Sequence, residues 1–154
     1  LLPETPHILG ASPVTLENPE ALRGARVLIV EDGPTITHGG MPHGAGYSAI
    51  AALEDVEIVD PRDSATPELM AVFERYPHIG PVLPAMGYSA HSLDELSATI
   101  NAADIDFVVA GTPIDLAKSL NLDVPVVRVR YDYADAGEPG LMAHLEEFLE
   151  SRGF

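Results

Sequence analysis

The run Val27-Leu28-Ile29-Val30 feeds directly into Glu31-Asp32-Gly33-Pro34-Thr35-Ile36-Thr37-His38-Gly39-Gly40-Met41-Pro42-His43-Gly44-Ala45-Gly46, and a helical pattern follows over Tyr47–Leu53. Four consecutive apolar residues bounded by turn formers suit a strand buried on both faces, as in the centre of a parallel sheet. Parallel strands need a crossover between them, so this one junction commits the chain to alternating strands and helices. The rest of the sequence agrees. Strand patterns fall at Arg26–Val30, Val56–Val59, Phe107–Ala110 and Val124–Arg130, with a weaker one near Ile79–Leu83 interrupted by Pro81 and Pro84. Helical patterns fall at Gly44–Leu53, Pro67–Arg75, Leu93–Ala103, Ile114–Leu120 and Gly140–Ser151. The expected fold is α/β: a mostly parallel sheet with helices on both faces, a Rossmann-like three-layer sandwich.

Helix starts carry their own signals. Ser92-Leu93-Asp94-Glu95 reads as a capping box, Thr112-Pro113 and Thr66-Pro67 place a hydroxyl before a first-turn proline, and Glu138-Pro139 reads as a further start. The segment Leu1–Asn18 is different, with a short strand-like piece His7-Ile8-Leu9 and then Ser12-Pro13-Val14-Thr15 in an extended or turn conformation. It reads as the tail of a preceding unit in a longer protein, which leaves residues 19–154 as a single α/β domain.

Charge narrows the partners. The net charge is −16, with 24 acidic residues against 8 basic ones, of which Lys118 is the sole lysine. Such a surface repels nucleic-acid phosphate and anionic membrane, so neither is an expected partner. Acidic excess with few lysines is also the composition of a protein kept soluble in high salt, which points to a halophilic source. No apolar run approaches the roughly 18–20 residues that span a bilayer, and the expected location is the cytoplasm. The chain has no cysteine, which excludes disulfides, thiolate nucleophiles and cysteine-based metal centres.

Ligands of open parallel sheets bind outside the carboxyl ends of the strands, and three polar clusters fall there. The first is the Glu31–Gly46 loop. Its glycines, among them Gly33, Gly39, Gly40 and Gly44, let backbone N–H groups approach an anion, with Thr35 and Thr37 adding hydroxyl donors. His38 can donate to the same anion or carry a proton, and Asp32 can hold a magnesium ion that accompanies a nucleotide. The alternative is a plain surface loop with glycines for turns. The second cluster is Asp60-Pro61-Arg62. The third, Gly111-Thr112-Pro113-Ile114-Asp115, is either an ordinary capped connection or an anion seat on a helix N-terminus. Arg128 and Arg130 alternate along a strand and share a face, either paired internally with a carboxylate such as Asp60 or Asp132 or gripping a ligand phosphate or carboxylate. The proline-rich stretch Tyr76–Tyr88 is a rigid connector, or its Met86 and Tyr88 line a pocket or interface.

Several of these strings together resemble the archaeal cyclic 2,3-diphosphoglycerate synthetase family and its predicted-GTPase relatives. They are Val30–Thr35, Thr37–Met41, Gly44–Tyr47, Glu57–Arg62, Tyr76–Gly80, Val82–Tyr88, Gly111–Leu116 and Val127–Tyr131, with Ser12–Thr15 leading in. Family members are longer, and this stretch is similar to their carboxyl-terminal part. The resemblance implies an upstream nucleotide-binding portion as partner, Mg²⁺ with GTP or ATP as cofactors of the whole protein, and a phosphorylated small molecule as substrate. The implied chemistry is phosphoryl transfer, with Asp32 and His38 as catalytic candidates. The candidate ligand contacts, read from the residues themselves, are Gly33, Thr35, Thr37, Gly39, Gly40, Gly44, Arg62, Gly111, Thr112, Asp115, Arg128 and Arg130. The chain carries no Gly-Lys-Ser/Thr phosphate loop and no Asn-Lys-x-Asp motif, so it is not expected to hydrolyse a nucleotide alone. The chain departs from the family pattern at Asp63-Ser64-Ala65-Thr66. The rival reading is a stand-alone, non-catalytic module that binds a phosphorylated metabolite or forms a homodimer. A third, an independent hydrolase using Asp32 and His38, lacks a placed nucleophile.

Overall fold

The structure, a computed structural model, describes residues 7–153, and what the sequence suggests for residues 1–6 lies outside them. Two units are distinguishable by their internal contacts, Thr15–Arg130 and a second that joins residues 7–14 to residues 131–153. The helical pattern near the end of the chain thus falls with the chain's beginning.

The larger unit is an α/β fold with a mostly parallel sheet flanked by helices. Strand β1 (Gly10–Ala11) belongs to the smaller unit, and β2 (Val14–Leu16) opens the larger sheet. The central strand β3 (Arg26–Asp32) buries Val27, Leu28, Ile29 and Val30 completely, as a run of four apolar residues requires in a sheet covered on both faces. Beside it runs β6 (Phe107–Gly111), parallel and in register from Val27↔Phe107 to Glu31↔Gly111, and then β7 (Val126–Tyr131), also parallel. On the other flank β3 is shared by two short strands. Its start pairs with β4 (Glu57–Ile58) and its end with β5 (Leu83–Ala85), both parallel. Pro84 sits in mid-strand because β5 pairs with β3, where Pro84 stands opposite Glu31, and an edge position does not need the missing N–H.

Three helix starts differ from the sequence reading. The expected loop after β3 folds at once into α1 (Gly33–His38), with Asp32 as N-cap and Pro34 in the first turn. After a Gly39–Gly44 connection comes α2 (Ala45–Ala51). Helix α3 (Pro67–Arg75) starts as expected, with the Thr66 hydroxyl accepting from Leu69 N at 3.4 Å. The next helix, α4 (Ala90–Ala102), begins one turn early: Ser89 rather than Ser92 is its cap and accepts from Ser92 N at 3.1 Å. The expected capping role of Glu95 therefore falls away. After β6, Thr112 is not a cap either; a single-turn helix α5 (Leu116–Ser119) starts beyond Asp115.

In the smaller unit β1 pairs antiparallel with β8 (Ala134–Asp135), so the strand expected at His7–Leu9 lies further along. The Asp135 carboxylate accepts from Tyr133 Oη at 2.6 Å and from Leu141 N at 2.8 Å, which anchors the start of α6 (Leu141–Arg152). Among the described residues no helix is long and apolar enough to cross a membrane.

Arg62 fastens the Tyr76–Gly80 connector to the end of β4. Its guanidinium donates to both Asp60 carboxylate oxygens at 3.1 and 3.2 Å, to Ile79 O at 2.6 Å and to Gly80 O at 3.1 Å, and it lies 4.2 Å over the Phe73 ring. A charged fork bonded to two carbonyls stabilises a connector that has little regular structure of its own. Replacing Arg62 with Ala is expected to lower unfolding stability by about 2–3 kcal/mol in urea titrations, and Lys is expected to restore less than half, because it cannot present the fork. A loss below about 0.5 kcal/mol would remove the fastening role.

Candidate functional site

Because β3, β5 and β6 run parallel, their carboxyl ends share one edge of the sheet, and most of the residues expected to bind a ligand gather there. The residue just ahead of them, at the end of β3, turns inward. Glu31 is buried, and its Oε1 accepts from Gly44 N at 3.0 Å and Tyr47 N at 2.9 Å. These are the amides that open α2, so the helix N-terminus holds a carboxylate of its own chain where the sequence suggests a ligand anion.

The glycines serve this carboxylate. A Cβ on Gly44 would lie 2.6 Å from Glu31 Oε2, and one on Gly111 would lie 2.5 Å from the same oxygen and 2.8 Å from Gly46 N. A Cβ on Gly46 would meet Ile29 Cγ2 at 2.9 Å and Glu31 Oε1 at 3.1 Å. Gly44 and Gly111 thus make room for a buried side chain. Glu31 is the residue that sequence reasoning passed over, and its signal was an acid continuing an otherwise apolar strand.

Asp32 is only partly buried and caps α1: its Oδ2 accepts from Thr35 N at 3.2 Å and from Thr35 Oγ1 at 2.6 Å. Among the described residues its Oδ1 has no such bond. Thr37 is buried and donates to Gly33 O at 2.7 Å, a bond within α1. Gly33 packs against β5, where a Cβ would collide with Ala85 O. Gly39 ends α1 with its N–H on Thr35 O at 3.2 Å, and Gly40 takes the left-handed conformation with φ 65°. His38 is exposed at the far end of the helix, with Nδ1 3.3 Å from Thr37 Oγ1. Asp32 and His38 thus stand at opposite ends of six helical residues, about 9 Å apart along the axis.

At the end of β6, Thr112 is buried and its Oγ1 lies 3.4 Å from Tyr88 Oη, which reaches over from the segment after β5. Asp115 faces Lys118 Nζ at 2.9 Å and Arg128 Nη1 at 3.6 Å, and these cations, Lys118 foremost, hold its pKa below the usual carboxylate range. Arg128 also donates to Pro113 O at 3.3 Å, while its buried Nε has no partner. Arg130 pairs with Glu17 at 2.6 Å, not with Asp60 or Asp132. Arg62 lies with Asp60 at the end of β4. All three arginines expected to clamp a phosphate are thus engaged by carboxylates of the chain: Asp60, Asp115 and Glu17. A broad hollow of about 620 Å³ lies at the opposite end of β3, lined by Arg23, Gly24, Asp55, Val56 and Glu57, away from this chemistry.

No family model matches the chain, and no solved structure matches it. The chain is 46% identical over 149 residues, 97% of its length, to the arginine synthetase ArcE of the archaeon Thermococcus kodakarensis. It spans about a third of that relative's length (33%). The likeness is thus to part of a synthetase, one whose name differs from the diphosphoglycerate family that the motifs resemble.

Burial pushes the Glu31 pKa up, against the pull of the Tyr47, Gly46 and Gly44 amides. A carboxyl group raised in the folded state contributes its full stability below the unfolded value, about 4.3, and loses it as pH rises through the folded value. Wild-type stability relative to Glu31→Gln is therefore expected to fall as pH rises from about 4 through that window, read by denaturant titration; a rise would overturn the assignment. Glu31→Ala, which strands the Gly44 and Tyr47 amides, is expected to cost about 3 kcal/mol or more at every pH.

Proposed function

We propose that this chain is the α/β portion of a nucleotide-dependent synthetase whose amino-acid ligand is arginine. The observation that carries the reading is the 46% identity to an arginine synthetase across 97% of the chain. In the whole protein, Mg²⁺ with ATP or GTP would be bound by an upstream portion, and the carboxyl edge of this sheet would face the amino-acid ligand.

The charge of the edge supports arginine over diphosphoglycerate. A polyphosphorylated acid needs unpaired cations, and Arg62, Arg128 and Arg130 are already matched to carboxylates. The amides of α2 are matched to Glu31. A guanidinium needs a carboxylate oxygen; Asp32 ends β3 with Oδ1 unbonded among the described residues, at the sheet edge where Tyr88 follows β5 and Thr112 follows β6. Asp32 would orient the guanidinium, with the exposed Tyr88 supplying a hydroxyl contact. The acidic excess of −16 is read as an accommodation to high salt; the melting temperature is expected to rise between low and molar KCl, and a flat response would remove that reading.

Calorimetric titration of the protein in its natural full length, with arginine, ATP, GTP and 2,3-diphosphoglycerate in turn, tests the proposal. Arginine and one nucleoside triphosphate are expected to bind. Asn caps a helix as well as Asp does, so Asp32→Asn should leave stability within about 0.5 kcal/mol while weakening arginine binding tenfold or more. Binding of 2,3-diphosphoglycerate without arginine would overturn the substrate, and unchanged arginine affinity in Asp32→Asn would overturn the role of Asp32.

A further inference from the structure

The amino-terminal halves of α3 and α4 bring together three metal-ligating side chains that no part of the site above uses. Glu68 stands on α3, and His91 and Glu95 stand on α4 four residues apart, hence on one face of that helix. Their donor atoms all lie within 4.8 Å of one another, and His91 Nε2 is 2.7 Å from Glu68 Oε2. A hollow of about 160 Å³ is lined by these same three residues together with Leu69, Val72 and Met86.

An exposed histidine–glutamate pair accounts for two of these groups at little energetic consequence. It does not account for the third. Glu95 sits where a capping box would have used it, yet Ser89 caps the helix and Glu95 is left beside His91. Ligands at about 2.0–2.2 Å around a tetrahedral ion stand about 3.3–3.6 Å from one another, within reach of small rotations of side chains that are mostly exposed. We propose that Glu68, His91 and Glu95 form a three-ligand site for a divalent transition metal of the zinc class, with its fourth position open to the hollow. One imidazole with two carboxylates suits zinc and its neighbours, whereas magnesium and calcium take oxygen donors alone. The strongly negative chain raises the local concentration of any cation. By joining α3 to α4 the ion would fix the spacing of two helices whose starts flank the segment after β5. This inference stands independently of the arginine reading.

The test uses Zn²⁺ alone, by calorimetry with a competing chelator and by metal analysis after dialysis. One Zn²⁺ per chain is expected, with a dissociation constant on the order of 1 µM or tighter. His91→Ala and Glu95→Gln should each weaken it at least about tenfold, while His38→Ala and His43→Ala leave it unchanged. Zn²⁺ should raise the melting temperature of the wild type and not that of His91→Ala. Equal Zn²⁺ affinity in wild type and His91→Ala, or loss of binding in His38→Ala or His43→Ala, would overturn the site.

Discussion

A carboxylate taken out of water must be repaid by donors, and at the end of β3 the donors come from the start of α2. Glu31 enters the interior at the point where the central strand gives way to the first helical crossover. Desolvating an ionised carboxyl costs several kcal/mol, and two backbone N–H groups on one oxygen, reinforced by the positive end of a helix, offset that cost. The bargain is geometric: it holds only if β3, β6 and α2 approach closely enough for the amides to reach. That approach is why Gly44, Gly46 and Gly111 converge on one side chain, since a methyl group on Gly44 or Gly111 would occupy the space of the carboxylate itself.

From that placement follows the electrostatic character of the edge. A helix N-terminus with glycines before it is ordinarily an open seat for phosphate. Here the seat is filled from within. The arginines that would otherwise attract an anion each face an acid of the chain, Arg62 with Asp60, Arg128 with Asp115 at 3.6 Å and Arg130 with Glu17. Asp115 is also held by Lys118. What remains partly open at the carboxyl ends of β3 and β5 includes an acid and a hydroxyl, Asp32 and Tyr88, while Thr112 is buried beneath Tyr88's hydroxyl contact. A ligand suited to such a surface brings its own positive charge.

The layout of the sheet was legible because the relevant signals are local. Val27–Val30 and Phe107–Ala110 are apolar without interruption, and all but the half-buried Phe107 are buried; Thr66-Pro67 starts its helix where a hydroxyl cap and a first-turn proline require. The same grammar stands in Asp32-Gly33-Pro34, where it starts α1, but five glycines in sixteen residues masked it as a loop. The site was less legible for a different reason. Which acid pairs with which base depends on contacts such as Arg130 with Glu17, more than a hundred residues apart, and no local pattern encodes them. Nor does sequence alone tell a glycine that invites a ligand from one that makes room for a neighbour's carboxyl.

The same limit bears on motif resemblance. Strings such as Glu31-Asp32-Gly33-Pro34-Thr35 and Gly111-Thr112-Pro113-Ile114-Asp115 build a junction: a buried acid, its cradle, and the cap of the following helix. A junction of this kind can be kept while the chemistry at its rim changes, since among the described residues Glu31 is bonded to Gly44 and Tyr47 and not to Asp32 or Tyr88. Relatedness through the cradle therefore argues for a common architecture, and the charge left exposed at its rim argues for the ligand. For this chain the two arguments separate: the cradle strings resemble a synthetase of a phosphorylated acid, whereas the rim carries the negative charge that a guanidinium would seek.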